Sequence, residues 1–336
     1  MVTEAPSKIK MREILKDYKI FKIDPARLRS PGFFGNMLEY RKAVMDQNKN
    51  AIKKNGFKCI LCHHGEGQEF LTHKNYILFE CRKCGAVSPN INFSKINEKN
   101  IYDDPACVKD TIREVVSTYD YRKKTYAPER LDYVLEKTGL KPKQIKLLDI
   151  GCGPGYFISH LKDKKIYYKG IELADFLVDF CRKKGLNVEK AEVKNEPDRF
   201  YNVITLFDVL EHLVKPLEFM SVLSNKLTPG GYVIAYVPNI HSLAYYLMGE
   251  YQNTLVPFQH VCFYDQRSLT YLARKTGFEI RSVDYYGLDL IDYLYMKDYQ
   301  DKVGYHQKLK DLIPVLQSVI DKQKISNHMR VLFQKK

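Results

Sequence analysis

Beyond residue 140 the chain is a series of short apolar runs set apart by polar stretches. Ile145, Leu147, Leu148 and Ile150 form the first run and predict a buried strand. Tyr167–Leu173 predicts a second strand, Val188–Val193 a shorter third, and Tyr201–Asp208 a fourth. Leu227–Gly231, spelled Leu-Thr-Pro-Gly-Gly, predicts a turn into a fifth strand over Tyr232–Pro238. Phe278–Tyr286 alternates like a strand, Leu288–Gln323 is mostly helical, and His328–Gln334 predicts a final strand. Ahead of these, Asn36–Lys54 predicts one helix broken at Gly56, and Pro128–Gly139 a helix leading into the sheet. The alternation points to an α/β chain with a doubly wound sheet.

The first strand runs into Asp149-Ile150-Gly151-Cys152-Gly153-Pro154-Gly155. Glycine is needed where the backbone turns with positive φ, or where a ligand must approach without a Cβ in the way. An apolar strand entering such a turn, with a helix after it, is how doubly wound sheets build a nucleotide pocket. The spacing excludes two nucleotide classes. A dinucleotide fingerprint needs glycine at position 156, which is Tyr156, and a phosphate-cradling loop needs Gly-Lys-Ser/Thr, which is absent. Glu172 ends the second strand, where a carboxylate can accept from both vicinal hydroxyls of an adenosine ribose. The bland alternative for Glu172, and for Glu192 near the end of the third strand, is a solvated carboxylate.

An acidic residue followed by Gly-x-Gly-x-Gly resembles the first motif of class I S-adenosylmethionine-dependent methyltransferases. The later segments match that family in order through its whole core. The resemblance implies a Rossmann-like, seven-stranded sheet whose last strand inserts antiparallel. It also implies that Asp149 and the backbone around Gly151, Cys152, Gly153 and Gly155 hold the methionine part of S-adenosylmethionine. Glu172, with Leu173 beside it, would take the ribose; Glu192 and Val193 would lie by the adenine; Phe207 and Asp208 would sit near the sulfonium. Leu210-Glu211-His212-Leu213 and Pro257–Tyr264 resemble two further family segments, placing His212 near the methyl and His260 in a segment that closes over the acceptor. If the acceptor is a hydroxyl, a base near its proton helps. His212 and His260 are the candidates for it, with Asp208 orienting acceptor or cofactor and His241 a weaker choice. The bland alternative for each histidine is a hydrogen bond that holds a loop.

Cys59-Ile60-Leu61-Cys62 and Cys81-Arg82-Lys83-Cys84 are two Cys-x-x-Cys knuckles separated by eighteen residues. That spacing is a zinc-ribbon pattern, and Gly85 suits the second turn. Four thiolates complete a tetrahedron and leave no open position, so the expected Zn2+ is structural. The rival is a pair of disulfides. Met1–Pro25 is charged and lacks the long apolar core of a secretory signal, which points to a reducing, cytoplasmic setting. His63, His64 and His73 lie within the ribbon and could substitute as ligands. Cys107, Cys152, Cys181 and Cys262 have no ligand-like spacing. A ribbon placed before such a core resembles bacterial and archaeal enzymes of glycan, sugar-nucleotide and natural-product pathways.

The layout that follows is a basic, mostly helical segment over 1–56, a zinc ribbon over 57–93, a connector and leading helix over 94–140, and a catalytic domain over 141–336. At 336 residues and 45% hydrophobic, the chain can bury two cores, and no stretch approaches the length of a membrane span. The net charge of +14 fits a lysine-rich surface, nucleic acid, anionic lipid or an anionic small acceptor. Twenty-five tyrosines and no tryptophan supply most of the aromatic surface. The leading expectation is O-methylation of a small molecule such as a sugar, a sugar nucleotide or a glycan or natural-product intermediate. Carbon or nitrogen acceptors on a small molecule remain open. So does RNA, although Phe207-Asp208-Val209-Leu210 stands where base N-methyltransferases carry an Asn-Pro-Pro-Tyr type of motif. A non-catalytic cofactor-binding scaffold is the third reading.

Overall fold

Two sheets organise the chain. The computed structural model describes Asp24 and residues 27–29, 32–53, 56–96 and 104–336. Much of the basic segment expected over 1–56 lies outside the described residues. The smaller sheet contains β1 (Gly67–His73), β2 (Tyr76–Cys81) and β3 (Val87–Pro89), antiparallel in that order. The larger has seven strands: β4 (Lys146–Ile150), β5 (Tyr167–Ile171), β6 (Val188–Glu189), β7 (Tyr201–Phe207), β8 (Leu227–Pro238), β9 (Phe278–Tyr285) and β10 (His328–Lys335). Their order is β6-β5-β4-β7-β8-β10-β9. Pairing from β6 to β8 is parallel, and β10 is antiparallel to both β8 and β9, with Val331 opposite Ala235 on one side and Val283 on the other. The apolar runs of β4 and β7 are buried throughout their centres because helices cover both sheet faces.

Four expected boundaries are corrected. β6 keeps only Val188 and Glu189; its polar continuation leaves the edge, and Val193 is buried by a 3-10 turn over Val193–Asn195 instead. The expected turn at Leu227–Gly231 is the start of β8: Leu227 pairs with Tyr201, and the residues before Tyr232 form an irregularity in register, with Gly230 at φ +71°. The leading helix starts at Tyr119 and ends at Thr138, with Pro128 inside it. A stripe of Tyr126, Ala127, Arg130, Leu131 and Val134 buries that helix in the place a proline would otherwise break. The N-terminal helix spans Phe33–Asn48 and tightens into a 3-10 turn over Lys49–Ala51. Among the described residues no helix is long and apolar enough to cross a membrane.

The small sheet is not a separate bead. Cys59, Leu61, Leu78 and Val87 share one apolar cluster with Leu206, Val237 and Phe263 of the large-sheet region. Val87 and Phe263 exchange both backbone hydrogen bonds, at 3.0 and 2.8 Å, and Arg267 donates to the carbonyls of Arg82 and Lys83 at 2.6 and 3.0 Å.

The two knuckles are geometric copies. In the first, Cys59 N–H donates to His64 O and His63 N–H to Cys59 O, both at 2.9 Å. In the second, Cys81 N–H donates to Ala86 O and Gly85 N–H to Cys81 O, again at 2.9 Å. The equivalent fifth positions are both left-handed, at φ +59° for His63 and +81° for Gly85. His63 therefore pays conformational strain that Gly85 does not. His63→Gly is expected to raise unfolding free energy by roughly 0.5–1 kcal/mol. Gly85→Ala, whose Cβ would lie 3.1 Å from Arg267 Cδ, is expected to lower it by about 1–2 kcal/mol. Denaturant titration of both variants reads the two signs.

Candidate functional site

The glycine loop sits between the ends of β4 and β5. Gly151 N–H and Cys152 N–H both donate to Ile171 O, at 2.9 and 3.2 Å, and Gly155 opens the helix Tyr156–Asp163. All three loop glycines are left-handed, at φ +65°, +56° and +76° for Gly151, Gly153 and Gly155. They do different work. A Cβ on Gly151 would meet Val209 Cγ2 at 2.8 Å, and one on Gly155 would meet Leu186 Cδ1 at 2.7 Å and Cys181 Sγ at 2.9 Å. A Cβ on Gly153 would meet nothing within 4 Å. Gly151 and Gly155 permit close packing, whereas Gly153 faces open space. Glu172 leans over that space: its carboxylate accepts from Gly153 N–H at 2.9 Å, Leu173 N–H at 2.7 Å and Ala174 N–H at 3.1 Å. A carboxylate has about four acceptor sites, so one remains for a ligand hydroxyl.

Asp149 lies deeper, almost fully buried, and accepts from Thr205 Oγ1 at 2.6 Å. Burial pushes its pKa up to about 7, against the opposing pull of Thr205 and the Arg130 charge. Arg130 is the residue that motif reading missed. Its guanidinium packs over the rings of Phe207 at 4.1 Å, Tyr156 at 5.1 Å and Tyr236 at 5.4 Å. Its Nε is buried with no acceptor among the described residues. The legible sign was an arginine on the apolar stripe of a helix, a position that asks for an aliphatic side chain. Leu173 is exposed, while Cys152, Phe207 and Val193 are buried. Glu192 is exposed, with Lys194 Nζ at 2.7 Å.

At the end of β7 the backbone is strained, with Asp208 at φ +59°. For a residue other than glycine this conformation persists only where the surroundings impose it. The Asp208 carboxylate is half exposed and lies 3.5 Å from His328 Nε2. Just beyond, the rings of His212 and His260 stand edge to face at 4.6 Å. His212 Nδ1 donates to Gln259 O at 3.0 Å, and His260 Nδ1 to Thr254 O at 2.6 Å. Burial lowers the pKa of His212 to about 4 despite the favourable charge of Asp208. Burial and the neighbouring His212 also hold His260 well below its ordinary value. Burial thus disfavours the protonated form of both rings and weakens each as a proton acceptor.

His260 also lines a cavity of about 240 Å3. Its walls come from Leu38, Arg41 and Met45 of the N-terminal helix, Leu71 and Leu78 of the small sheet, and Leu255 to Pro257. Lys42 and Lys74 stand at its border. Arg41 is buried and donates only to the backbone carbonyls of Glu250, at 3.0 Å, and Gln252. His241, the weaker candidate, lies outside this lining, edge-on to Phe70 at 5.6 Å.

The four knuckle thiols converge. Cys59 and Cys84 Sγ are 3.5 Å apart, Cys62 and Cys81 Sγ 3.4 Å, and all four atoms lie within 4.8 Å of one another without a disulfide. Tetrahedral zinc with bonds of about 2.3 Å sets sulfurs roughly 3.8 Å apart. The donor set and spacing are compatible with zinc.

Residues 119–283 match a family model described as a methyltransferase domain. That match starts where the Tyr119 helix starts and runs into β9, so it takes in the glycine loop, Glu172, Arg130 and both buried histidines. The chain is a class I S-adenosylmethionine-dependent methyltransferase. It is 27% identical over 173 residues to a ubiquinone biosynthesis O-methyltransferase of Aeromonas salmonicida, covering 46% of this chain and 71% of that protein. A protein of the same name from Leptothrix cholodnii is 26% identical over 171 residues, covering 46% and 72%. Among solved structures, a SAM dependent methyltransferase from Archaeoglobus fulgidus aligns with a TM-score of 0.45 and 19% identity, over 63% of this chain and 94% of that one.

The open space at Gly153 separates folding from cofactor binding. Gly155→Ala is expected to lower stability by about 2–4 kcal/mol through strain and overpacking. Gly153→Ala should lose only about 1–2 kcal/mol of stability yet weaken S-adenosylhomocysteine at least ~10-fold. Thermal unfolding and calorimetric titration of both variants test the contrast.

Proposed function

We propose that this methyltransferase acts on a hydroxyl of a small, anionic acceptor with an apolar body, and that its four knuckle thiolates hold a structural zinc ion. The observation that carries the first part is the cavity running from the small sheet to His260, beside the strained end of β7. Its aliphatic walls suit an apolar body better than the sugar first expected. Among the described residues, Arg41, Lys42 and Lys74 outnumber the one carboxylate of the lining, Glu250, which pairs with His73, and this excess favours an anionic group on a small molecule over RNA. The name of the Aeromonas and Leptothrix relatives supports oxygen as the attacked atom.

When bound, S-adenosylmethionine supplies an electrophilic methyl group on a sulfonium. Gly153 gives its methionine part room, Glu172 accepts from the ribose, and Glu192 and Val193 flank the adenine. Arg130, with a buried N–H lacking an acceptor, takes the α-carboxylate, and Asp149 faces the ammonium. Phe207 and Asp208 border the reacting end. The ribbon over 57–93 and the N-terminal helix form the acceptor wall, held in place by zinc.

Calorimetry with S-adenosylhomocysteine tests the cofactor assignment. Asp149 titrates near pH 7 because burial disfavours its charge, and an ammonium needs that charge. Affinity is therefore full above pH 7 and falls below it, by at most ~10-fold per pH unit. Arg130→Met is expected to weaken binding about 10- to 100-fold. Absence of binding at pH 8 removes the assignment, and a gain of one methyl mass in a pooled metabolite extract identifies the acceptor. For zinc, atomic emission is expected to find about one ion per chain. Cys81→Ser should lose the ion and acceptor turnover while S-adenosylhomocysteine affinity stays within ~3-fold.

A further inference from the structure

Glu211 is fully buried, and neither of its carboxylate oxygens has a hydrogen-bond partner among the described residues. A buried carboxylate without donors is unfavourable in either charge state, and native proteins keep few such groups. Its surroundings supply what is missing. One ligand atom each from Glu211, His212 and His260 lie within 4.8 Å of one another. Both Nδ1 atoms face backbone carbonyls, which only accept. Each therefore carries the ring proton, and each Nε2 presents a lone pair. An imidazole whose other nitrogen donates to a carbonyl is oriented as metal-ligating histidines are. The two contributing segments are also fixed to each other, because Glu211 O accepts from Val261 N–H at 2.8 Å and Cys262 N–H at 3.0 Å.

From this geometry we infer that Glu211, His212 and His260 form a second metal site, separate from the four-cysteine cluster, for a divalent transition-metal cation. Two imidazoles and one carboxylate suit Zn2+, Mn2+, Fe2+ or Co2+ rather than Ca2+ or Mg2+. Three protein ligands leave coordination positions open, as catalytic sites do. Metal–ligand bonds of about 2.0–2.2 Å require donors no more than about 4.4 Å apart, a span close to the 4.8 Å within which these three donors lie. The charge of Asp208 lies alongside, but its carboxylate turns to His328 and is not a ligand.

His260 also lines the acceptor cavity, and on the hydroxyl-methylation reading the open positions would receive the acceptor oxygen. The bound O–H loses its proton to water in the cavity. The oxygen pair then forms the C–O bond, and the C–S bonding pair stays on sulfur as the neutral thioether departs. The cation lowers the affinity of the hydroxyl for its proton, which two neutral imidazoles do not.

The test is a CoCl2 titration of protein already loaded with zinc at the cysteines, followed in the visible spectrum. Wild-type protein is expected to bind one equivalent of Co2+ with d–d bands and no thiolate charge-transfer band. Glu211→Gln, which keeps the shape of the side chain, and His260→Gln should each weaken Co2+ at least ~10-fold, while calorimetric S-adenosylhomocysteine affinity stays within ~3-fold and reports an intact fold. No uptake by wild type, uptake only with thiolate bands, or wild-type affinity in both variants overturns the site. Co2+ uptake without S-adenosylhomocysteine binding would leave the site standing and remove the cofactor assignment instead.

Discussion

The backbone pairing of Glu211 with Val261 and Cys262 is the constraint around which the functional half of the molecule is arranged. It joins the loop after β7 to the segment after the cavity wall. The same segment then pairs with the small sheet through Phe263 and Val87, and with the end of β8 through Ile240 N–H on Tyr264 O. Tyr264 Oη donates to Leu210 O at 3.2 Å, and Phe258 N–H donates to Tyr76 Oη at 3.2 Å. Three regions distant in sequence thus meet on the segment Phe258–Tyr264. Phe258 enters that crossing in a left-handed conformation, φ +63°, which a bulky side chain adopts only when its neighbours impose it.

This arrangement places unlike environments side by side. Around the glycine loop the structure is largely main chain, with amides turned to the Glu172 carboxylate and the buried side chains of Asp149 and Arg130 beneath. The cavity, by contrast, is built from side chains carried by the N-terminal helix, the small sheet and residues between Glu250 and Phe263. The first can recur in many proteins because backbone geometry is indifferent to the substrate. The second is particular to this chain, and the family match leaves its N-terminal components outside.

What the sequence made legible follows the same division. Strands buried on both faces write themselves as apolar runs, so β4, β7, β9 and β10 were readable within a residue or two. The glycine loop and the knuckles were readable because each demands a residue type at fixed spacing. β6 was not, since an edge strand of two residues leaves almost no pattern. The start of the Tyr119 helix was hidden by Pro128, whose local preference yields to burial of the stripe around it. Arg130 reaches Tyr156, Phe207 and Tyr236 through a packing of helix on sheet that no local motif encodes. Glu211 was visible beside His212, but its burial and its lack of donors exist only after residues 254–262 fold back upon it.

The position of β10 has a consequence for how the molecule comes into being. Among the described residues β9 has β10 as its only sheet neighbour, and β8 meets no other strand on that side. Until residues 328–335 emerge from the ribosome, β8 presents a bare apolar edge and β9 is tethered but homeless. The nascent polypeptide must carry this exposed seam from the completion of β8 at Pro238 until β10 begins at His328, and that interval is when a chaperone has most to protect.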